Sequence, residues 1–149
     1  MRTQPRNRRR GATLVEFAVV FPVLMLIVIG IIIYGLGVFR YQQVSWLARE
    51  GARWASVRGA QYAKETGLPA ATASDVLTRA VAPRAVVLDP SLLSCTVTWS
   101  KSNRTSEYNA TNATYVGNTV TVTLSYRWTP EWSGQVVTLA SSSTVPMTY

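Results

Sequence analysis

The residue with the most unusual position for its chemistry is Glu16. Glu16 follows Gly11 by five residues and immediately precedes Phe17. It stands directly before a run of 23 residues, 17 to 39, without an acidic or basic side chain. An ionised carboxylate costs about 2.5–3.5 kcal/mol at the centre of a membrane helix and less near its end. The position therefore predicts that Glu16 has a cationic partner.

The remaining residues with reactive side chains do not form an arrangement known to support catalysis. The chain has no histidine and one cysteine, Cys95, which excludes histidine-based acid/base catalysis, Cys/His metal clusters and an intrachain disulfide. No GxSxG motif, SxxK motif or phosphate-binding glycine loop occurs. The other carboxylates form no defensible pair on one element: Glu50, Glu65, Asp75, Asp89, Glu107 and Glu131. We expect no catalytic residues, no cofactor, no metal and no small-molecule substrate.

The positive charge is concentrated in the first ten residues. The chain has a formal net charge of +8, and five of its arginines lie in the sequence MRTQPRNRRR. Without this segment, ten basic and seven acidic residues remain, a net charge of +3. A nucleic-acid partner is therefore not expected.

The apolar run is long enough to cross a membrane. Its 23 residues would extend roughly 35 Å as a helix, against about 30 Å for the hydrocarbon core of a bilayer. The arginines before it predict a cytoplasmic N-terminus, so the C-terminal part should be extracytoplasmic. A secretory signal peptide, the alternative, has a shorter apolar core and a small-x-small cleavage site, and no convincing site follows here. Pro22 predicts a kink or local loosening of the helix.

The spacing of Gly11, Glu16 and Phe17 after a basic leader has the form of a prepilin cleavage site, GxxxxEF. Cleavage after Gly11 would leave Ala12 as the new N-terminus, with an α-amino group that is mostly cationic at neutral pH. This amine, in the same or a neighbouring subunit, is the proposed partner of Glu16. The alternative is that Gly11 marks a helix boundary and Glu16 complements the helix dipole, worth about 0.3–1 kcal/mol.

Residues 8–59 resemble the N-terminal segment of TadE-like proteins, the minor pilins or pseudopilins of tight-adherence (Flp-type) pilus systems. The features that match are Gly11, Val-Glu-Phe at 15–17, Pro22, the glycine-containing apolar run and Ala-Arg-Glu-Gly-Ala-Arg at 48–53. The resemblance implies processing by a membrane-embedded aspartic prepilin peptidase that recognises Glu16 and Phe17. It also implies other pilin subunits and the pilus assembly platform as partners.

The sequence predicts four segments: a basic leader (1–11), a transmembrane helix (12–40), a membrane-distal continuation of that helix (41–59) and an extracytoplasmic domain (60–149). The continuation should end near Val57 and pack a ridge of small residues, Ala48, Gly51, Ala52 and Ala55, within its own domain. Residues 60–73 are expected to be a connector, followed by a short helix that Ser74 or Asp75 caps and Pro83 ends.

Alternating residues predict strands from Cys95 to Trp99 and from Thr119 to Trp128, separated by a loop at 101–114. A last strand, interrupted by Pro146, should lie at an edge or contain a bulge. The expected fold class is α+β, with a long N-terminal transmembrane helix and a small antiparallel sheet in a pilin-like domain. Cys95 should be a buried small apolar residue of this sheet rather than a reactive thiol.

The hypothesis from the sequence is a non-enzymatic TadE-like minor pilin in the bacterial cytoplasmic membrane. Two alternatives remain. One is a membrane-anchored extracytoplasmic binding module that never enters a filament and meets a partner through residues 101–114. The other is a secreted domain released by signal-peptide removal, whose mature N-terminus would lie beyond Phe39.

Overall fold

The computed structural model describes residues 8–130 and 134–149, and the chain divides into two compact units between Val38 and Phe39. Residues 1–7 of the predicted leader and Glu131 lie outside the described residues. Each unit is described by itself below.

The first unit consists of one helical segment. Helix α1 extends over Arg8–Ser56, and its residues up to Val38 belong to this unit. The helix continues through Pro22, although proline cannot donate the backbone hydrogen bond to the preceding turn. Because α1 begins at Arg8, the last four residues of the predicted leader are already helical. Arginine has a high helix propensity, which favours a helix over residues 8–10.

The second unit is built on the remainder of α1. One face of this part of the helix is fully buried, as predicted, through Val44, Leu47, Ala48, Ala52 and Ala55. A Cβ atom placed on Gly51 would lie 3.3 Å from Val81 and 3.4 Å from Val122, so the small ridge lets the core residues approach the helix backbone. The prediction that this ridge packs within its own domain is confirmed.

A three-stranded antiparallel sheet covers this face of α1. Strands β1 (Leu93–Trp99), β4 (Thr119–Trp128) and β5 (Val137–Pro146) lie in the order β1-β4-β5. Every second residue of β4 from Val120 to Tyr126 is buried, which confirms the predicted alternation. Strand β5 is an edge strand with Pro146 as its last residue, as proline's missing N–H requires.

Helix α2 (Ala60–Thr66) occupies the first half of the predicted connector, so that prediction was wrong in this part. Gly67 ends α2 in the left-handed conformation, with φ of 71°. The sequence pattern does not reveal α2 because seven residues carry little periodicity and no residue of α2 is buried.

The predicted loop at 101–114 was also wrong in part. Strands β2 (Ser106–Asn109) and β3 (Thr114–Gly117) form a separate hairpin there. All four residues of β3 are exposed, and its sequence, Thr-Tyr-Val-Gly, does not alternate apolar with polar residues. The sequence pattern therefore does not mark it as a strand.

The short helix before β1 starts earlier than predicted. Helix α3 (Ala73–Asp75) continues as a π-helical segment (Val76–Val81) and a 3₁₀ turn (Ala82–Arg84). Its N-cap is Thr72, whereas Asp75 completes a capping box by accepting from the Thr72 backbone N–H at 3.1 Å. A second 3₁₀ turn (Pro90–Leu92) leads into β1. The long apolar helix followed by a small antiparallel sheet confirms the predicted α+β class.

Candidate functional site

The predicted cleavage position lies in the first turns of α1. Gly11 is helical and exposed, and a Cβ atom at this position would meet nothing within 4 Å. The Gly11–Ala12 peptide bond is therefore part of the helix, and a peptidase that requires an extended backbone must first unwind the helix end. No other part of the described first unit obstructs access to this bond.

Helix geometry places Glu16 one turn after Ala12. Residues four apart in an α-helix are neighbours on one face, separated by about 6 Å along the axis. An α-amine created at Ala12 would thus lie on the same side of α1 as the Glu16 carboxylate. Phe17 is 64% exposed, and its ring stacks on that of Phe21 with centroids 5.2 Å apart. All four predicted site residues lie within the first three turns of the helix.

The apolar side chains of the span are exposed in the described part of the chain. The helix over Thr13–Ser56 has a mean hydropathy of 2.9 in its most apolar stretch, and none of that stretch is buried. Leu26 is 73% exposed and Ile31 67%. A row of exposed aliphatic residues of this length requires an apolar environment outside the chain. One helix of the described chain is therefore able to cross a membrane.

Arg40, the residue that follows the apolar run, contacts the sheet of the second unit. The Arg40 guanidinium lies over the Trp128 ring, 4.8 Å from its centroid. This cation–π contact joins the first charged residue after the run to the last residue of β4. No sequence signal could have found it, because the two residues are far apart in the chain and no spacing rule relates them.

The end of α1 is joined to the C-terminus of the chain. The backbone N–H groups of Thr148 and Tyr149 donate to the Ser56 carbonyl at 3.1 and 3.2 Å, and the Gly59 N–H donates to the Tyr149 carbonyl at 3.0 Å. The Arg58 guanidinium lies over the ring of Trp54, 4.3 Å from its centroid. Arg58 therefore packs within the domain.

Several ionisable groups of the second unit make structural contacts. Glu50 and Arg84 form an ion pair of 3.8 Å, and the described residues contain no cluster of three or more potential metal ligands. Hydrogen bonds from the Ser91 hydroxyl and backbone N–H lower the pKa of Asp89. Cys95 is partly buried and packs against the core. This burial raises the pKa of its thiol, so the thiol has little thiolate character.

These features define a class: a protein with one N-terminal helix that can span a membrane, followed by a small α+β domain, as in single-pass pilin-like membrane proteins. The family model described as TadE-like protein matches residues 11–53, so this chain carries a TadE-like N-terminal segment and the predicted resemblance is confirmed. No curated protein and no solved structure matches the chain.

The TadE-like segment begins at Gly11 and includes Ala12, Glu16 and Phe17. It ends at Arg53, three residues before the end of α1, so it contains the apolar run and most of the buried small ridge. The sheet and the β2–β3 hairpin lie outside it.

Proposed function

We propose that this protein is a TadE-like minor pilin or pseudopilin, cut after Gly11 by a prepilin peptidase, that contributes to assembly of a tight-adherence (Flp-type) pilus. The observation that carries the proposal is the placement of Gly11, Glu16 and Phe17 at the start of an uncovered apolar helix, inside the segment that matches the TadE-like family. It is a structural subunit rather than an enzyme.

Processing begins with fraying of the helix end. Each residue added to a helix stabilises it by at most about 0.3 kcal/mol, so releasing residues 8–11 costs about 1 kcal/mol. Glycine lowers the barrier further because it favours the helical backbone least among the non-proline residues. The scissile bond is thus readily presented in extended form, although it is helical at rest.

Cleavage exchanges a basic leader for a single cationic amine. The five arginines keep the N-terminus at the cytoplasmic surface before the cut and hold the protein in place. The Ala12 amine then provides the charge partner for Glu16, in its own chain or in the neighbouring subunit. Pairing removes the energetic cost of an isolated carboxylate beside hydrocarbon and allows the helix to enter an apolar bundle.

The exposed apolar surface of α1 is covered first by lipid and later by other subunits. In the bacterial cytoplasmic membrane, lipid covers it, with the C-terminal domain extracytoplasmic. During assembly, the helices of other pilin subunits cover the same side chains, and the assembly platform mediates the transfer. Both environments satisfy the same physical requirement, removal of the exposed aliphatic side chains from water.

Replacement of Gly11 by leucine tests the proposal. Gly11→Leu should abolish removal of the leader and reduce piliation, because the side chain obstructs the peptidase. Gly30→Leu is the matched control: Gly30 is also a glycine of α1 where an added Cβ atom would meet nothing within 4 Å, and this variant should be processed normally. Normal processing and piliation of Gly11→Leu would contradict the proposal.

Replacement of Glu16 by glutamine tests the charge pair separately. Glu16→Gln preserves shape and membrane insertion but cannot neutralise the amine, so piliation should fall while the protein level in the membrane stays unchanged. Glu65→Gln is the control, since Glu65 is exposed in α2 and accepts a hydrogen bond from Gln61 at 2.9 Å. Equal piliation by both variants would argue against the charge pair.

The second candidate function is a membrane-anchored binding module. It is favoured by the β2–β3 hairpin, where Tyr108 and Tyr115 are 53% and 73% exposed and their rings lie edge to face at 5.3 Å. An exposed aromatic pair is typical of a protein contact. This function makes the chain indifferent to Gly11→Leu but sensitive to Tyr115→Ser, so the two variants separate the candidates.

A further inference from the structure

The sheet of the second unit has a defined direction along α1. We name the end of the sheet with Trp128 and Val137 the proximal end, because Trp128 lies against Arg40, and the end with Thr119 and Pro146 the distal end. Between them, the Ser45 hydroxyl donates to that of Ser141 at 3.1 Å. The proximal end is thus the end next to the first charged residue after the apolar run.

Three large aliphatic side chains are exposed at the proximal end. Val137 pairs with Trp128 and is 41% exposed, and the preceding Val136 is 51% exposed. Leu92, which precedes the first residue of β1, is 43% exposed. We call Leu92, Val136 and Val137 the proximal apolar edge. None of them belongs to the core cluster of the domain.

The proximal apolar edge is close in space to the end of the apolar run. Arg40 follows the apolar run directly, and a basic residue at that position marks the level of the lipid headgroups. Val137 is opposite Trp128 in the sheet, and the Trp128 ring lies 4.8 Å from the Arg40 guanidinium. The headgroup region of each leaflet is about 5–8 Å thick. The edge therefore lies close to the residue that marks the headgroup level.

The local charge agrees with this assignment. Arg40 and the exposed Arg127 lie at the same end of the sheet as the edge. Among the described residues, the acidic residue nearest to the edge in sequence is Asp89, which accepts from the Ser91 hydroxyl at 2.7 Å. Glu131, between β4 and β5, lies outside the described residues. Basic side chains beside exposed aliphatic ones are the composition of surfaces that bind the boundary between headgroups and acyl chains.

We propose that the proximal apolar edge inserts into the bilayer surface next to the point where α1 leaves it. The domain is then held by a second lipid contact in addition to its covalent attachment. This inference goes beyond the proposed function, and it does not depend on cleavage after Gly11. It requires only that α1 spans the membrane.

A fluorescent label placed at matched valines tests the inference in the full chain. Val137→Cys and Val116→Cys are made in a Cys95→Ala background, labelled with an environment-sensitive dye and reconstituted into vesicles of phosphatidylcholine and phosphatidylglycerol. Val116 is also 41% exposed but lies in β3, joined to the distal end through the bond from the Asn118 N–H to the Thr105 carbonyl. Brominated acyl chains in the same lipids report contact with hydrocarbon.

The expected result is blue-shifted emission and quenching by brominated lipid at position 137, with neither at position 116. Equal, water-like emission at both positions would overturn the proposal. A label at 137 that is shielded from aqueous iodide but not quenched by brominated lipid would also overturn it and assign the edge to a protein partner.

A second measurement uses the unlabelled wild-type protein, so a folding defect in a variant cannot hide the answer. Phospholipids with a photoactivatable group in the acyl chain should form adducts with the peptide that contains Val136 and Val137. The peptide that contains Tyr108 and Tyr115 should form none. Absence of adducts from the first peptide, with adducts on α1 as positive control, would contradict the inference.

Discussion

Gly59 is the position where a single added methyl group should be most damaging to the domain. Its Cβ atom would meet the Asn103 carbonyl oxygen at less than contact distance, and would lie 2.6 Å from both the Tyr149 carbonyl oxygen and Met147 Cε. The two carbonyls accept from the Ala60 N–H at 2.7 Å and the Gly59 N–H at 3.0 Å. Gly59→Ala must therefore displace two backbone segments rather than a flexible side chain.

The magnitude follows from these contacts. Two disturbed hydrogen bonds cost about 0.5–1.5 kcal/mol each, and overpacking adds about 1–3 kcal/mol. The reduced backbone entropy of the unfolded chain offsets about 0.4–1 kcal/mol. The net loss is about 1–5.5 kcal/mol, which lowers the Tm of a domain of this size by about 4 °C or more.

Thermal unfolding of the full chain in detergent micelles, followed by tryptophan fluorescence, measures the effect. Gly117→Ala is the matched control, because a Cβ atom on Gly117 meets nothing within 4 Å and its φ is not positive. Gly117→Ala should leave the Tm nearly unchanged. Equal Tm values for the two variants would refute the reasoning that the end of α1, the loop and the C-terminus are packed together at Gly59.

Three further predictions concern charges and the thiol. Hydrogen bonds from Thr72 lower the pKa of Asp75 below the usual 3.8, so the ionised carboxylate stabilises the fold above that pH, and this stabilisation is lost as the pH falls through the lowered pKa. Urea unfolding should show that Asp75→Ala is less stable than the wild type at pH 7, with a smaller difference at pH 3. A difference that does not change with pH would contradict this prediction. Arg40→Gln removes the contact with Trp128 and should cost about 0.5–1 kcal/mol in the same assay, whereas a change at the exposed Arg49 should cost nothing measurable. Cys95 should react with iodoacetamide at pH 8 more slowly in the folded than in the denatured protein, because burial raises its pKa, and equal rates would show that it is accessible.

Elements with strong periodicity could be predicted from the sequence alone. The five apolar residues of β4 alternate with polar ones over a whole strand, and only an extended chain places such residues on one face. The small residues of α1 at 48, 51, 52 and 55 share a helical face, and burial of that face follows from their size. Both features depend on neighbours close in sequence, which a pattern can record.

Elements fixed by distant contacts could not be predicted. The contact between Arg40 and Trp128 joins residues that are far apart in the sequence. The importance of Gly59 depends on three backbone segments that meet only in the folded domain. The direction of the sheet along α1, on which the proximal apolar edge depends, follows from such contacts as well. Scattered exposed valines do not indicate a surface until the fold places them at one end.

The residues of the candidate site could be predicted from the sequence, because they lie within six positions of one another. Gly11, Ala12, Glu16 and Phe17 could be named from spacing, and the helix adds only that Ala12 and Glu16 share a face and that Gly11 must unwind before cleavage. The proposed roles of these residues involve other proteins, so no contact within one chain could reveal them.

The mass of the mature polypeptide isolated from native membranes tests the central claim most directly. The account predicts a chain that begins at Ala12, without the starting methionine and the five arginines of the leader. An intact N-terminus at Met1 would contradict cleavage after Gly11, and a chain that begins beyond Phe39 would contradict the membrane anchor itself.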